Sequence, residues 1–355
     1  MIKILLIAVI FFSGCSIKEK VFVVQRSDSS LAVIQNHKLI DEIKNLHDLS
    51  HGVVKFYENN GYVITRDGFI VKFDPKSEKV LKEYKTSKSA IGFVINKEYV
   101  AVANYDNKSV DILDRDLNKI QTFDTGSKNV GIKIYKDYLV FSLMDKDEIW
   151  VLKYQKPQFK IFKKFKDVGV APFDAMITDG KYIVGFFKSS HFGVLDLHDM
   201  NYKKIDITTE DKKPVLKVPH FGFWSISGDK IFIPAVGESR VFVFSKEFKF
   251  IKSIKTFGLP VFTSLSPNED KMCITFSGKD FPVIQILDTK SLKIIKTLKH
   301  SGKILHIRWS KSEPILYVSN NTDSEVLLYD TNTWKIVSKI TVKKPSGIFI
   351  YEGKR

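Results

Sequence analysis

Two histidines lie just before apolar segments that are typical of β-strands, at positions where a strand does not require an imidazole. His51 lies in LSHGVV and His220 in VPHFGFW, each with a glycine one or two residues later. Glycine lets a ligand come close to the backbone, so both are candidates to bind a metal or a small molecule. His191 in SSHFGV is a further candidate for contact with a cofactor. His306 in ILHIRW is predicted to be a structural histidine within a strand.

Five other residues could bind or act on a ligand. Asp145 in FSLMDKDEIW and Asp174 in APFDAMIT are carboxylates among apolar residues, a setting that suits proton transfer, although both also fit ordinary turns. Arg66 follows the strand YVIT and could pair with an anionic group through its planar guanidinium. Asn104 and Tyr105 close the strand VAVAN and could hydrogen-bond to, or stack on, a flat ligand.

Several common catalytic and cofactor motifs are absent from the sequence. It contains no HExxH, no histidine pair at metal-binding spacing, no acidic calcium loop and no GxGxxG. A metal site made by protein side chains alone and a Rossmann-type dinucleotide site are therefore not expected. The two cysteines are Cys15 and Cys273, and the second lies in the apolar segment MCITF, which predicts a small core residue.

One phrase recurs along the chain: an apolar strand, usually closing on aspartate, followed by a polar turn. Its eight copies are LAVIQ, IVKFD, VDILD, IWVLKY, FGVLD, VFVFS, VIQILD and VLLYD. They follow one another at intervals of roughly 40 residues, and a repeat of that length with about four strands is typical of a β-propeller blade. The sequence therefore predicts an all-β fold, a single eight-bladed β-propeller over residues 21–355.

The two ends of this region bear on how the ring closes. Residues 21–25 and 335–342 are expected to complete one shared blade, because closure leaves no exposed sheet edge. The longest interval between copies of the phrase contains ITTEDKKPVLKVPH, residues 207–220. This segment is predicted to be an extra loop on the ligand face.

The first residues, MIKILLIAVIFFSGC, are typical of an export signal. Lys3 gives a positive start, and the apolar run is too short for the roughly 20 residues of a membrane helix. Small residues directly before Cys15 resemble a bacterial lipobox. This predicts a lipoprotein signal peptide over residues 1–14, lipidation of Cys15 and a tether over residues 15–20, in a periplasmic protein anchored to a membrane without spanning it. An ordinary signal peptide is the alternative.

The formal net charge is +16, and the basic residues are mostly single lysines between apolar residues. Nucleic acid is not expected as a partner, since the chain carries an export signal and shows no dense basic run. The positive charge suits an anionic small ligand or an anionic membrane surface, and a weakly selected lysine-rich surface accounts for it equally well.

Several segments together carry a family resemblance. LSHGVVKF, VAVANYDNKSVDILD, FSLMDKDEIWV, APFDAMITDGKYIVGFF, VPHFGFWSISGDKIFIPAVG and KPSGIFI resemble the NirF family of heme d1 biosynthesis proteins. That family is similar to the eight-bladed heme d1 domain of cytochrome cd1 nitrite reductase and to the dehydrogenase NirN. Both of those carry a cytochrome c domain with a CxxCH motif, and this sequence has no CxxCH, which argues against either.

The resemblance implies that the protein binds heme d1 or its precursor, an iron tetrapyrrole, and acts in a late step of heme d1 biosynthesis for denitrification. His51 matches the proximal iron ligand, Arg66 lies near the carboxylates of the macrocycle, and His220 resembles a distal-pocket histidine. The family also needs an acidic residue, which either Asp145 or Asp174 matches. Other heme d1 biosynthesis proteins, cytochrome cd1 nitrite reductase and a second copy of the chain are the implied partners.

The residues leave the activity itself open. A dehydrogenase-like modification of the tetrapyrrole, a non-catalytic heme d1 carrier and a propeller scaffold for protein–protein assembly all fit the same fold. A scaffold would need exposed aromatic loops and no pocket for an anionic ligand. The surroundings of His51 therefore separate these hypotheses.

Overall fold

The computed structural model describes residues 19–208, 215–217 and 224–353. The predicted signal peptide over residues 1–14 and most of the predicted loop over residues 207–220 lie outside the described residues. In the described part of the chain thirty-two strands form eight four-stranded antiparallel sheets, and adjacent sheets pack together as the blades of a ring. The structure is a single eight-bladed β-propeller, which confirms the all-β fold predicted from the repeat. Among the described residues, no helix is long and apolar enough to cross a membrane.

The strands follow the chain, four to a blade. Blades 1 to 4 contain β1 (Lys20–Gln25), β2 (Ser30–Gln35), β3 (Lys38–Ile43), β4 (Val53–Tyr57), β5 (Asn60–Ile64), β6 (Phe69–Asp74), β7 (Lys79–Lys85), β8 (Ala90–Ile95), β9 (Tyr99–Asn104), β10 (Ser109–Asp114), β11 (Lys119–Asp124), β12 (Asn129–Tyr135), β13 (Tyr138–Leu143), β14 (Glu148–Gln155) and β15 (Gln158–Phe165). Blades 5 to 8 contain β16 (Pro172–Thr178), β17 (Lys181–Phe186), β18 (His191–Asp196), β19 (Asn201–Asp206), β20 (Ser225–Ser227), β21 (Lys230–Ala235), β22 (Arg240–Ser245), β23 (Phe250–Lys255), β24 (Pro260–Leu265), β25 (Lys271–Phe276), β26 (Val283–Asp288), β27 (Lys293–Lys299), β28 (Ile304–Trp309), β29 (Ile315–Asn320), β30 (Glu325–Asp330) and β31 (Lys335–Thr341). The last strand, β32 (Pro345–Tyr351), returns to blade 1, and a single 3₁₀ turn at Gly278–Asp280 precedes β26.

Each blade runs from an innermost strand beside the central channel to an outer strand facing solvent. The middle strands are the most apolar: every residue of β9 is buried, whereas nearly every residue of β7 is exposed. The recurring phrase corresponds to the third strand of each blade. The innermost strands are β4, β8, β12, β16, β20, β24, β28 and β32. We call the face at which they begin the upper face and the face at which they end the lower face.

The core is divided into hydrophobic clusters that lie between adjacent blades. Between blades 1 and 2, Phe22 packs against Phe56 and Phe73, with ring centroids 5.3 and 5.5 Å apart. Phe56 also contacts Tyr351 of β32 at 5.2 Å. Burial of apolar rings is the main favourable contribution to folding, so these clusters hold neighbouring blades together.

The ring closes through the last strand of the chain. β1 pairs antiparallel with β32, with Lys20 opposite Tyr351 and Phe22 opposite Phe349. The prediction that residues 335–342 close the shared blade is therefore wrong. Those residues form β31, the outer strand of blade 8, because the aspartate turn after β30 leads to a fourth strand in the same blade, as it does elsewhere.

A second connection joins the start of the described chain to blade 8. The buried carboxylate of Glu19 accepts hydrogen bonds from the backbone N–H groups of Lys311 and Ser312, at 2.6 and 2.9 Å. Its other oxygen accepts from the hydroxyl of Ser310 at 2.7 Å. Charge-assisted bonds of this kind are the strong ones, so Glu19 fastens the two ends of the ring.

The innermost strands carry β-bulges near the upper face. The pairing register shifts in six of them, at Ala90/Gly92, Val130/Lys133, Pro172/Ala175, Pro260/Phe262, Ile304/His306 and, in β32, between Pro345 and Ile348. A bulge leaves an extra residue unpaired and redirects the neighbouring side chains. The propeller thus presents irregular backbone around the upper end of its channel, where a ligand would bind.

Candidate functional site

In each of seven blades, a backbone hydrogen bond holds one residue at the upper end of the second strand. In each case the backbone N–H donates to a carbonyl in the loop that leads into the innermost strand of the same blade, as from Arg66 to Asp48 at 2.7 Å and from Tyr105 to Ser89 at 2.8 Å. The seven residues, which we call the upper ring, are Arg26, Arg66, Tyr105, Met144, Phe187, Ser277 and Asn321. Its cationic members are in blades 1 and 2, and its aromatic members are in blades 3 and 5.

His51 lies two residues before the first residue of β4 and is partly buried at the upper end of the channel. Its Nε2 donates to the carbonyl of Ile91 at 3.2 Å, and Ile91 is the bulged residue of β8. In this tautomer Nδ1 carries the lone pair that a metal requires. A ligating histidine usually donates its other ring nitrogen to a carbonyl in the same way.

The surroundings of His51 keep its imidazole neutral. Burial lowers its pKa below the ordinary value, the bond to Ile91 opposes this, and the positive charges of Arg66 and Arg26 lower it further. A metal binds the deprotonated imidazole. His51 is therefore in the protonation state that ligation needs at neutral pH.

Beside His51, cationic and aromatic groups continue along the upper face through blades 2 to 4. The guanidinium of Arg66 lies 5.7 Å from the ring centre of Tyr105, and the Nζ of Lys128 lies 5.3 Å from the same ring. Cations near the face of an aromatic ring are attracted by its quadrupole. This row combines a flat apolar ring with two positive charges, which suits a flat ligand that carries carboxylates.

Asp145 ends this row. Its carboxylate accepts the backbone N–H of Lys128 at 3.1 Å, and it lies 3.6 and 3.7 Å from the Nζ atoms of Lys128 and Lys108. Asp145 is thus brought to the same face as His51, Arg66 and Tyr105, and it orients one of the lysines there.

Asp174 lies in the channel wall, inside the bulge of β16. Its carboxylate accepts the N–H of Ala175 at 2.7 Å. Burial raises the pKa of Asp174, while the positive charges of Lys133 and Lys55 partly oppose that rise. The preceding residue, Phe173, packs against Phe187 of the upper ring with centroids 4.7 Å apart. Asp174 is therefore a carboxyl with raised proton affinity just below the upper face.

Two of the predicted site residues are placed elsewhere. Asn104 is fully buried within β9, where its amide donates to the hydroxyl of Ser109 at 3.0 Å, so it lies inside the blade beneath Tyr105. His191 begins a third strand, β18, and its Nε2 bonds to the carbonyl of Val168 at 3.0 Å, away from the channel. His220 and Cys15 lie outside the described residues.

Sequence reasoning missed Arg26, Lys128 and the aromatic pair of Phe173 and Phe187. The sequence does contain a signal for Arg26 and Phe187, because both follow a second strand at the position that Arg66 and Tyr105 occupy in their blades. An alignment of second strands, in addition to third strands, would have indicated them. The bulges that redirect the inner strands leave no such signal.

At the upper end of the channel, His51 is a histidine that could bind a metal. The described residues contain no group of three or more His, Cys, Asp and Glu side chains that could hold a metal ion. A single histidine can, however, complete the coordination of a metal that another ligand already holds, as an axial histidine does for the iron of a heme. The site therefore fits a ligand that brings its own metal.

The chain is similar to known proteins over nearly all of its length. The model of the cytochrome D1 heme domain matches residues 17–354. Protein NirF from Stutzerimonas stutzeri is 29% identical over 352 residues, which cover 92% of this chain and 90% of that protein. Protein NirF from Pseudomonas aeruginosa is 28% identical and covers 92% and 89%.

Solved structures share the fold at lower identity. Dihydro-heme d1 dehydrogenase NirN, in complex with DHE, superposes with a TM-score of 0.80 at 19% identity, covering 93% of this chain and 74% of that one. AztD from Citrobacter koseri superposes with a TM-score of 0.73 at 12% identity, covering 95% and 99%.

Proposed function

The chain belongs to the cytochrome D1 heme domain family, and from this premise we propose that it binds a heme d1 precursor at the upper face of the propeller and acts in a late step of heme d1 biosynthesis. The observation that carries the proposal is His51, a neutral imidazole oriented by a bulge carbonyl beside Arg66 and Arg26. The similarity to NirF proteins and to NirN supports a tetrapyrrole as the ligand.

Each residue of the site has a role in this proposal. His51 would hold the metal of the bound group, Arg66 and Arg26 would bind its carboxylates, and Tyr105 would contact its conjugated ring. An anionic ligand explains why cations line this face, whereas a protein-interaction scaffold does not. When bound, the macrocycle supplies the conjugated ring and iron at which redox chemistry takes place.

The chain's own contribution to chemistry is a proton held at a defined place. Because burial raises the pKa of Asp174, its carboxyl holds a proton more readily than an exposed carboxylate and is suited to proton transfer. Asp145 is the ionic partner of Lys128 and Lys108 and positions their charges toward the ligand. Asp174 thus moves a proton, whereas Asp145 binds and orients, and His220 stays a candidate for proton transfer.

Absorption spectroscopy tests the axial ligand. Purified protein titrated with heme d1 is expected to shift the absorption bands of the macrocycle, and His51→Ala is expected to lose that shift. His37→Ala is the matched control, because His37 is an exposed histidine whose partner is Glu313 at the surface. The absence of a shift with the native protein, or equal shifts with all three proteins, would exclude His51 as the ligand.

Product analysis separates an enzyme from a carrier. The protein is incubated with the tetrapyrrole that precedes heme d1, and the macrocycle is then analysed by mass spectrometry. A mass change that Asp174→Asn abolishes, and that Asp145→Asn reduces mainly through weaker binding, is the expected result. An unchanged mass together with tight binding would assign the carrier function instead.

The leader sequence supports a location for this activity. We infer a periplasmic lipoprotein anchored through Cys15, which works beside other heme d1 biosynthesis proteins and cytochrome cd1 nitrite reductase, as a homodimer. Mass spectrometry of the mature protein from membranes measures the lipid on Cys15, and Cys15→Ala is expected to release the protein from the membrane fraction. Sedimentation velocity measures the dimer, and a monomer at micromolar concentration would contradict it.

A further inference from the structure

A cavity opens at the lower face, at the other end of the channel from His51. Its volume is about 770 Å³, which lies within the range of sites for small molecules. Its wall is formed mainly by the last residues of the innermost strands, including the aromatic residues Phe56, Tyr57, Trp309 and Phe349. The cavity is therefore open to solvent on one side and largely apolar on the others.

Four basic residues line this cavity, namely Lys55, Lys133, Arg308 and Lys311, and the first three lie on innermost strands. Lys55 Nζ donates to the carbonyl of Phe93, and Arg308 Nε donates to the carbonyl of Ile348 at 3.3 Å. These acceptors are neutral, so they orient the side chains without compensating their charge. Among the described residues, none of the three forms an ion pair within 4.0 Å.

The acidic residues near the cavity do not balance these charges. Glu58 lies 3.1 Å from Arg115, and Glu352 lies 2.6 Å from Lys311, so each is paired with a basic residue of its own. Within residues 19–208, 215–217 and 224–353, Asp174 is the carboxylate whose negative charge acts on both Lys55 and Lys133. The channel wall thus places three basic groups against one acidic group.

Burial of uncompensated cations is unfavourable, and the ionisation of these groups reflects it. The pKa of Lys55 is lowered to about 7, mainly by burial and also by the positive charge of Lys133, while Asp174 opposes the shift. Burial also lowers the pKa of Lys133 and of Arg308. An anion in the cavity would supply the missing negative charge.

We propose that this lower cavity is a second ligand site, which binds an organic carboxylate with an apolar, aromatic body. The guanidinium of Arg308 and the ammonium groups of Lys55 and Lys133 bind the carboxylate, and Trp309 and Phe349 contact the body. Arginine suits the planar carboxylate. The site lies at the opposite end of the channel from the tetrapyrrole site and does not depend on the proposed function.

Calorimetric titration with naphthalene-2-carboxylate tests this site. Saturable binding of one molecule per chain is expected, and naphthalene-2-methanol, which has the same body without the charge, is expected not to bind. The Lys133→Met and Arg308→Met variants are each expected to weaken binding at least tenfold. Both should fold, because they remove a buried charge and add no polar group.

Two control variants distinguish binding in the lower cavity from binding at exposed lysines or at the upper face. Lys160→Met removes an exposed lysine of β15 and is expected to change the affinity less than twofold, as is His51→Ala at the upper face. No saturable binding at millimolar probe, or unchanged affinity in Lys133→Met, would overturn the proposal. Loss of binding in His51→Ala would assign the probe to the upper face and overturn it as well.

The same titration has a second readout. Since the pKa of Lys55 is about 7, its amine is mostly neutral at pH 8 and becomes protonated when a carboxylate binds beside it. Titrations at pH 8 in two buffers of different ionisation enthalpy are expected to show proton uptake, which Lys55→Met abolishes. Binding without proton uptake at pH 8 would contradict the role of Lys55.

Discussion

His51 and His306 show how the surroundings of single residues decide what they can do. Both lie in the inner part of the propeller, and burial lowers the pKa of both. His306 is buried within β28, and its Nδ1 accepts the backbone N–H of Ile348 at 3.2 Å, so that lone pair is used to join blades 8 and 1. His51 instead donates from Nε2 to a backbone carbonyl, which is the tautomer that a metal binds through Nδ1.

The lowered pKa of His51 predicts how binding depends on pH. Protonation competes with metal ligation, and the lowered pKa moves that competition below the ordinary histidine value of about 6.5. The affinity for heme d1 is therefore expected to be constant from pH 8 to pH 6.5 and to fall only at lower pH. Absorption titrations across this range measure it, and a fall in affinity with a midpoint at or above pH 6.5 would contradict the lowered pKa.

At the scale of single elements, the aspartates that close the third strands shape the turns that follow. The Oδ1 atoms of Asp74 and Asp114 each accept the backbone N–H two residues later, at 2.8 Å. Asp288 and Asp330 make similar bonds to Ser291 and Asn332. These are the local side-chain bonds that aspartates make in turns. The recurring phrase therefore specifies both the strand and the turn that ends it.

Two glycines within strands provide a matched test of packing between blades. A Cβ on Gly61 of β5 would lie 2.2 Å from the Cζ of Phe73, whose ring is fully buried between blades 1 and 2. A Cβ on Gly92 of β8 would meet nothing closer than Ile132 at 3.6 Å. Gly61→Ala is expected to destabilise the protein by about 1–3 kcal/mol through overpacking.

Gly92→Ala is the control for that substitution. It is expected to change the free energy of unfolding by less than about 1 kcal/mol, because the added methyl group has ordinary contacts. Thermal and urea unfolding of the two variants measure the difference. Equal effects of the two substitutions would show that backbone freedom, not the contact with Phe73, determines the cost.

For the whole molecule, the decisive feature is closure of the ring. β32 pairs with β1, and Glu19 binds the loop of blade 8, so both ends of the described chain are joined to neighbours distant in sequence. Loss of Glu19 would leave the N–H groups of Lys311 and Ser312 without their carboxylate acceptor. Glu19→Ala is expected to lower the free energy of unfolding by about 2–3 kcal/mol.

Glu325→Ala is the control for closure. Glu325 is also in blade 8, but its partner Lys339 lies 3.7 Å away at the surface, and exposed pairs contribute about 0–1 kcal/mol. Urea unfolding compares the two variants. A loss in Glu19→Ala no larger than that in Glu325→Ala would mean that β32 closes the ring without help from Glu19.

The sequence by itself determined the number of blades, the third strands and the turns after them, and it indicated His51, Arg66, Tyr105 and Asp145 as candidate site residues. These features follow from local patterns, since a strand and its turn are specified by a few neighbouring residues. The family resemblance added the proposed ligand, which no local pattern contains.

Only the tertiary structure decided which strand closes the ring and which side chains face the channel. In the sequence, Lys55 and Lys133 are ordinary polar residues of alternating strands, but in the structure they line the lower cavity. Asn104 ends a strand and was a candidate ligand contact, but in the structure it is buried. The reason is that register and bulges depend on pairing between distant segments, and a shift of one residue moves a side chain to the other face of a strand.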